Sequence, residues 1–468
     1  MFTVSEIAQV LKNRKYKDDR TKIKGVCIDS RKVKKGDLYI AIKGERFNGN
    51  DFVLEAYKKG AVCIIASKNT KDAVAVEKHI PVFFVKDTIK NMGDIACFYR
   101  CKMDIPIVAI TGSAGKTSTK EIIAFLLSKS YKVLKTEGTK NNFIGVPLTL
   151  FQLKKTHEVG VVELGTNSPG EISRLSQIVQ PDVGVITNVG DAHLKGFKTR
   201  LNVLKEKKEL INSLPDNGIA VLNGDDQLLN KIKVHCKKVM FNIDKKSHND
   251  KYYDKKGALS FYVGSVKFTV SLIGKHNLYN VLCAVTVGQI FDIPLKKMAL
   301  SLKKYRAENK NRFFVSRKGR YTVIDDTYNS NPLSMQKAIE SLDKIGKNKK
   351  IIIVSDMLEL GEQSKKLHIQ IGKNIASAKI DKLITVGKEA AYIANGAIKN
   401  GMEKAHVFVF NEKESLYKQL FNILEPNDII LVKGSRKAKM EEVVRKIELM
   451  KSSLQPSAVS SQPEEDPK

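Results

Sequence analysis

No apolar run in this chain of 468 residues approaches the roughly 18 residues that a membrane-spanning helix requires. The N-terminus, Met1-Phe-Thr-Val-Ser-Glu6, also lacks the charged-then-apolar layout of a secretion signal, so the expectation is a cytoplasmic protein with no membrane span. Cysteine is sparse: Cys27, Cys63, Cys97, Cys101, Cys236 and Cys283 are scattered and mostly in apolar contexts, as suits buried thiols in a reducing compartment rather than a disulfide framework. Cys97 and Cys101 could share a helix face, but with no second Cys or His pair nearby they do not make a zinc site.

Negative charge is scarce too, 50 Asp and Glu against 81 Lys and Arg, which leaves a net charge of +31 and makes nucleic acid an obvious partner to consider. The excess runs from end to end and is mostly Lys. There is no Arg-rich arm, no aromatic-basic interleaving and no paired Cys/His finger, so we read a solvated, Lys-rich surface suited to small anionic substrates, with no nucleic acid.

The apolar fraction, 42%, is enough for ordinary cores, and the length allows about three domains. Residues 1–104 mix short strands with helices as a small α/β unit. From 105 to 311 apolar strands alternate with helices, which argues for a mainly parallel sheet, with 244–256 as an exposed loop. Residues 312–450 repeat the βα rhythm as a Rossmann-like unit. The stretch 451–468, rich in Ser, Pro, Gln and Glu, is expected to be a disordered tail. The fold class is α/β in three domains.

The most informative run is Thr111-Gly-Ser-Ala-Gly-Lys-Thr-Ser-Thr-Lys-Glu121, between an apolar strand and an amphipathic helix. Gly112 and Gly115 let the backbone of Gly112, Ser113, Ala114 and Gly115 converge its N–H groups on an anion, and the helix start at Lys116, Thr117 and Ser118 adds the positive end of its dipole. Lys116 can reach terminal phosphates and Thr117 can offer Mg²⁺ an oxygen. Ile110 stands where the full P-loop pattern has Gly, so this is a shorter variant. The expected ligand is a nucleoside triphosphate with Mg²⁺. Glu163 ends the next apolar strand and His193 lies just past another; each is a common residue type alone, and together at consecutive strand ends they extend the site.

These residues carry a resemblance to the Mur ligases, the ATP-dependent amide-forming family of peptidoglycan synthesis. The matching runs are Asp29 to Leu38, the phosphate loop, Asn141 to Leu148, Glu163 to Glu171, Thr187 to Gly190 with His193, Gly274 to Asn277 with Asn280, Ile324 to Pro332, Asp356 to Gly361 and Lys433 to Arg436. The last three resemble the branch that adds D-Ala-D-Ala. The resemblance implies an N-terminal domain binding the UDP end of UDP-MurNAc-tripeptide, a central ATP-binding domain, and a C-terminal domain that closes over the nucleotide and brings in the amine. It implies an acyl-phosphate ligase yielding UDP-MurNAc-pentapeptide, ADP and phosphate, acting as a monomer.

Residue by residue, the resemblance makes Lys116, Glu163, His193, Lys207 and Arg312 catalytic. Thr117 and Glu163 would hold one Mg²⁺ and His193 a second. Lys207 aligns with a lysine carbamylated by CO₂, a metal-facing or positioning anion whose formation requires a neutral amine and a depressed pKa; Lys205 and Lys208 crowd the same helix. Asn277 and Asn280 would meet the adenine edge, Arg312 the γ-phosphate and Asp326 the ribose. Ser30 and Arg31 would meet the uridine diphosphate, Asn141 and Asn142 the substrate, and Asn329, Asn331 and 356–361 the dipeptide. The chain departs from the family pattern at Asn50, at 194–199 (Leu-Lys-Gly-Phe-Lys-Thr), at Asn311, where glycine is usual, and at Ser355. The rivals are a sister ligase adding a different amino acid, and a basic nucleic-acid or regulatory binder on the same scaffold.

Overall fold

The computed structural model of the chain describes residues 1–67, 69–243, 258–306, 311–316, 320–346 and 348–450. The loop expected over 244–256 and the tail expected over 451–468 lie outside the described residues. The chain forms two compact units, one from residues up to 243 with 260–270 and 276–305, the other from 258–259, 271–275 and the described residues from 306 onward.

The first unit carries two parallel sheets. A small one orders Gly25–Cys27, Asp37–Ile40, Cys63–Ala66 and Val82–Phe84 side by side, over a core that includes Tyr39, Val53, Ile64 and Val82. A six-stranded one runs Lys237–Phe241, Ile219–Asn223, Val183–Ile186, Ile107–Thr111, Val159–Glu163, Val133–Lys135. Its strand order reverses beside Ile107–Thr111, the place where a doubly wound sheet opens a crevice at its carboxyl edge.

The helix Thr88–Cys101 connects the last strand of the small sheet to the phosphate-loop strand in sequence and packs on helices Gly145–Leu150 and Glu171–Val179. Asp87 caps it by accepting from the Lys90 amide, and Met92, Ile95, Ala96 and Tyr99 form its buried stripe. Its Arg100 is buried because its guanidinium is satisfied by the carbonyls of Met103, Val179 and Gln180 and by Asp182. Asp182 in turn accepts from the Ile107 amide at 2.8 Å, which fixes the start of the phosphate-loop strand.

The second unit has one six-stranded sheet, Phe314–Ser316, Thr322–Asp326, Ile429–Lys433, Lys350–Ser355, Lys382–Val386, Val407–Phe410, parallel except for the first strand. Successive strand residues face opposite sides, so runs such as Ile351-Ile-Ile-Val354 and Ile429-Ile-Leu-Val432 cover both faces with apolar groups. Ile352, Val354 and Leu431 pack with helices Pro332–Asp343, Ser364–Ala376 and Ala391–Lys399, whereas Ile351, Ile353 and Val432 pack with Lys413–Ile423 and Glu441–Leu449. The result is a three-layer α/β/α sandwich.

Candidate active site

The phosphate loop leaves a strand whose five residues are all buried and enters the helix Lys116–Leu127 through Gly115. Gly112 has φ 152° and a side chain there would meet the Thr187 hydroxyl at 1.9 Å; Gly115 has φ 81° and a side chain would meet the Asn280 carboxamide oxygen at 2.6 Å. Only glycine fits either position. No side chain caps the helix start, so its first amides suit an anion. Lys116 folds back to donate to the Gly112 carbonyl at 2.8 Å. The end of the next strand braces the loop: Asn188 accepts from the Ala114 amide, Thr187 donates to the Ala114 carbonyl, and Ser113 exchanges hydrogen bonds with Gly190. The Thr111 hydroxyl at the head of the loop is buried with no hydrogen-bond partner.

Glu163 is 1% exposed and faces the loop. One carboxylate oxygen accepts from the Thr117 hydroxyl at 2.8 Å, the other from Asn141 at 2.7 Å. Lys120, assigned no role from sequence, is fully buried; its ammonium donates to the carbonyls of Thr136 and Gly138 and lies 3.8 Å from Glu163. The Thr136 hydroxyl accepts from the Glu163 amide, so Lys120 and Thr136 aim the carboxylate. A carboxylate beside a threonine hydroxyl is the hard-oxygen donor set that Mg²⁺ takes together with phosphate oxygens, and the residues present fit that ion. Among the described residues no three His, Cys, Asp or Glu side chains converge on a metal position, so phosphate oxygens and water would complete such a shell.

Behind the loop, Asn280 accepts from Thr119 and donates to Asn277 at 3.0 Å, and both asparagines are buried. Asn280 thus braces the phosphate loop as well as lying near it. Asn142 closes the turn into helix Gly145–Leu150 by accepting from the Ile144 and Gly145 amides.

Helix Arg200–Asn212 brings Lys207, 1% exposed, into the same unit. Burial, and then the charge of Lys116, push its ammonium well below the usual lysine range, with Glu206 opposing. Glu206 is a second residue missed from sequence. Its buried carboxylate accepts from the amides of Gly170 and Ile172, each at 2.7 Å, and from the Thr166 hydroxyl at 3.3 Å, so it pins the loop that follows Glu163. A signal for Lys120, Glu206 and Lys207 existed: each falls on the apolar stripe of its helix, Lys120 with Ile123, Ala124 and Leu127, Glu206 and Lys207 with Val203, Leu210 and Ile211. His193 is half-buried with φ 55°, at the start of the short helix Leu194–Phe197. Within the departing stretch 194–199, Lys198 sits at φ 63°.

In the second unit Asp326 and Lys433 end adjacent strands as register partners, and their side chains pair at 2.6 Å. Lys433 also donates to the Asn329 carbonyl at 3.0 Å. The Arg312 guanidinium stacks 3.9 Å over the Tyr328 ring, and Arg436 lies 5.9 Å from the same ring. The Asn329 side chain accepts from the Ser330 and Arg436 amides, whereas Asn331 caps helix Pro332–Asp343. The hydroxyls of Ser330 and Ser435 are buried without partners. Asn311 sits at φ 75°, a left-handed conformation that glycine adopts freely and asparagine tolerates. Asp356 accepts from the Ala390 amide, and burial raises its carboxyl above the usual range.

Near the small sheet, the Ser30 hydroxyl donates to Glu55 at 2.9 Å, and Arg31 forms a two-pronged pair with Asp29, both contacts 2.9 Å, with most of its side chain in solvent. The pair holds the Asp29 carboxyl at about 2.

A doubly wound sheet with a glycine-rich phosphate loop, a buried acid beside the loop threonine and a Rossmann-like second unit define an ATP-utilising phosphate-loop protein. Family models match in sequence order: the Mur ligase family catalytic domain over 22–100, the Mur ligase middle domain over 110–288 and the Mur ligase glutamate ligase domain over 311–436. The UDP-N-acetylmuramoyl-tripeptide–D-alanyl-D-alanine ligase of Bacillus subtilis is 33% identical over 95% of this chain and 97% of its own, and that of Escherichia coli is 33% identical over 95% and 98%. MurF from Acinetobacter baumannii superposes with a TM-score of 0.85 at 27% identity, covering 95% of this chain and 98% of its own; MurF from Thermotoga maritima, solved with ADP, gives 0.80 at 30% identity over 92% and 97%. The chain belongs to the Mur ligase family, and within it to the MurF type.

Proposed function

We propose that this chain joins D-Ala-D-Ala to UDP-MurNAc-tripeptide at the expense of ATP, in the cytoplasm and as a monomer. The observation that carries the reading is the phosphate loop facing the Thr117–Glu163 pair at 2.8 Å, in a chain matched along its length by ligases of that name.

A carboxylate is a poor acyl donor because its leaving group is an oxide. In the reading, the terminal carboxylate oxygen of the tripeptide attacks the γ-phosphorus, the bond to the bridging oxygen breaks, and ADP leaves. The free amine of D-Ala-D-Ala then attacks the acyl carbon, the carbon–oxygen bond breaks, phosphate departs with the electron pair, and the nitrogen gives up a proton. Negative charge gathers first on the γ-oxygens and then on a tetrahedral oxyanion. Lys116 and the uncapped amides at the start of helix Lys116–Leu127 are the groups suited to hold it, whereas the Ser113 and Ala114 amides, expected from sequence to face the anion, are already donated to Asn188. Thr117 and Glu163 would hold one Mg²⁺ and His193 a second, and the ions would supply neutralisation of the phosphate charge when bound.

We assign Lys207 as a carbamate in the working enzyme. Its neutral amine would add to CO₂, forming a nitrogen–carbon bond and releasing a proton, which turns a buried cation into an anion. Arg312 and Asp326 are assigned to the nucleotide, Asn277 to the adenine edge, Ser30 and Arg31 to the diphosphate, and Asn329 to the dipeptide. For Asn141 we favour aiming Glu163, given the contact between them.

The experiment is phosphate release from ATP with UDP-MurNAc-tripeptide, in its lysine and diaminopimelate forms, with and without D-Ala-D-Ala, together with the product mass. Release that needs all three substrates and a pentapeptide mass is expected, and the Lys116→Ala variant should lose it by at least about 10²-fold. No release with either tripeptide would overturn the reading, and near-normal turnover in the variant would overturn the role of Lys116.

A further inference from the structure

Phe47 is the most exposed large apolar side chain among the described residues, at 73%. It does not hang from a slack loop. Lys43 and Asn48 bridge, the Gly44 amide donates to the Phe47 carbonyl at 2.9 Å, and the Gly49 amide donates to Ile42 at 2.9 Å. The Tyr39 hydroxyl donates to the Gly49 carbonyl, and Asn50, 2% exposed, donates to Asn48 and exchanges hydrogen bonds with Ser67. Gly49 leaves no room for movement inward, since a side chain there would come 2.6 Å from the Ile42 nitrogen. A buried polar network therefore presents a phenyl ring to water, although holding it there contributes nothing to the core.

The position of the loop gives the ring a use. It leaves the carboxyl end of strand Asp37–Ile40, and the turn carrying Ser30 and Arg31 leaves the same end of the neighbouring parallel strand Gly25–Cys27, with Cys27 and Tyr39 in register. Neighbouring strands lie about 4.8 Å apart, so both turns open on one edge of the sheet. Arg31, Lys43 and Arg46 are exposed there, with Glu45 exposed beside them and Asp29 committed to Arg31. A flat π face next to guanidinium and ammonium groups is the arrangement that takes a nucleobase joined to phosphates.

We propose that Phe47 is the platform on which the uracil ring of the nucleotide-sugar substrate stacks, with Lys43 and Arg46 beside its diphosphate. The proposal rests on the assignment of a UDP-linked substrate above.

The chain has no tryptophan, so Phe47→Trp places its only indole at the platform. With the full chain, calorimetric titrations compare UDP with ribose 5-diphosphate, which lacks the base, and ATP serves as a control for the other site. Wild type should prefer UDP. Phe47→Ala should weaken UDP by about 5- to 150-fold, the usual range for losing one base–aromatic stack, and erase the preference over the base-free ligand. The same variant should raise KM for the UDP-linked substrate but not for D-Ala-D-Ala, with ATP affinity and Tm unchanged. Phe47→Trp should keep the affinity and lose fluorescence on adding UDP but not ribose 5-diphosphate. Equal UDP binding by wild type and Phe47→Ala overturns the platform while leaving the substrate assignment standing. A wild type that binds ATP but neither UDP nor the complete UDP-linked tripeptide overturns both.

Discussion

Lys207 in the first unit and Lys433 in the second are each 1% exposed, yet their surroundings are opposite. Lys433 meets a carboxylate at 2.6 Å and a carbonyl at 3.0 Å, so its charge is matched where it lies. The acid next to Lys207 in sequence, Glu206, has its oxygens engaged by Thr166, Gly170 and Ile172, and the other charge acting on Lys207 is the like charge of Lys116. A buried lysine with a matched acid is a structural cation. A buried lysine whose ammonium is disfavoured is an amine held ready for chemistry, which is the logic of reactive lysines generally.

The sharpest way to break this contrast is to truncate Lys207. Lys207→Ala is expected to lower turnover by about 10²- to 10³-fold if the proposed carbamate is the group that positions charge in phosphoryl transfer, because the variant cannot form that anion. In that case short carboxylic acids should restore part of the rate by occupying the vacated space, and they should do nothing for the wild type. Turnover near wild type would return Lys207 to a packing role.

Truncating Lys433 should act on folding. Lys433→Met keeps the length of the side chain but leaves Asp326, which also accepts from the Phe313 amide, without its cation. Breaking a buried pair on one side typically destabilises by about 3 kcal/mol. Urea unfolding should show a loss of that order in Lys433→Met and a much smaller one in Lys207→Met. Equal losses would mean that the two lysines are alike and the contrast is false.

The same pair shows what the sequence made legible. The parallel sheets announced themselves because strands buried on both faces are continuous apolar runs, as in Ile351 to Val354, and the phosphate loop did so because its glycines, Lys and Thr fall between an apolar strand and an amphipathic helix. The pairing of Leu259–Val263 with Val266–Val270, and the edge strand Phe314–Ser316, were not anticipated: each is short, and what fixes it is a partner strand rather than its own pattern. For the lysines, the family resemblance pointed to Lys207 among three crowded candidates, and the apolar stripe of its helix carried the independent signal. The Asp326–Lys433 pair joins positions 107 residues apart, and only the parallel register of two strands brings them together.

The smallest expected effect concerns how Lys207 is held in place. Its helix starts at the Thr199 cap, directly after Lys198, which has φ 63° and ψ −45°. The Thr199 amide donates to the Phe197 carbonyl at 2.7 Å, closing a γ-turn of the rare, strained hand on a residue with a side chain. Glycine would relieve the crowding at the β-carbon, at some cost in unfolded-state entropy, for a net gain of about 1 kcal/mol. Lys198→Gly should therefore raise the urea midpoint with unchanged turnover, since the turn and the helix start are kept. A lower midpoint would show that the Lys198 side chain contributes more than its backbone strain removes, and that the entry to the Lys207 helix is held by that side chain rather than by the Thr199 cap.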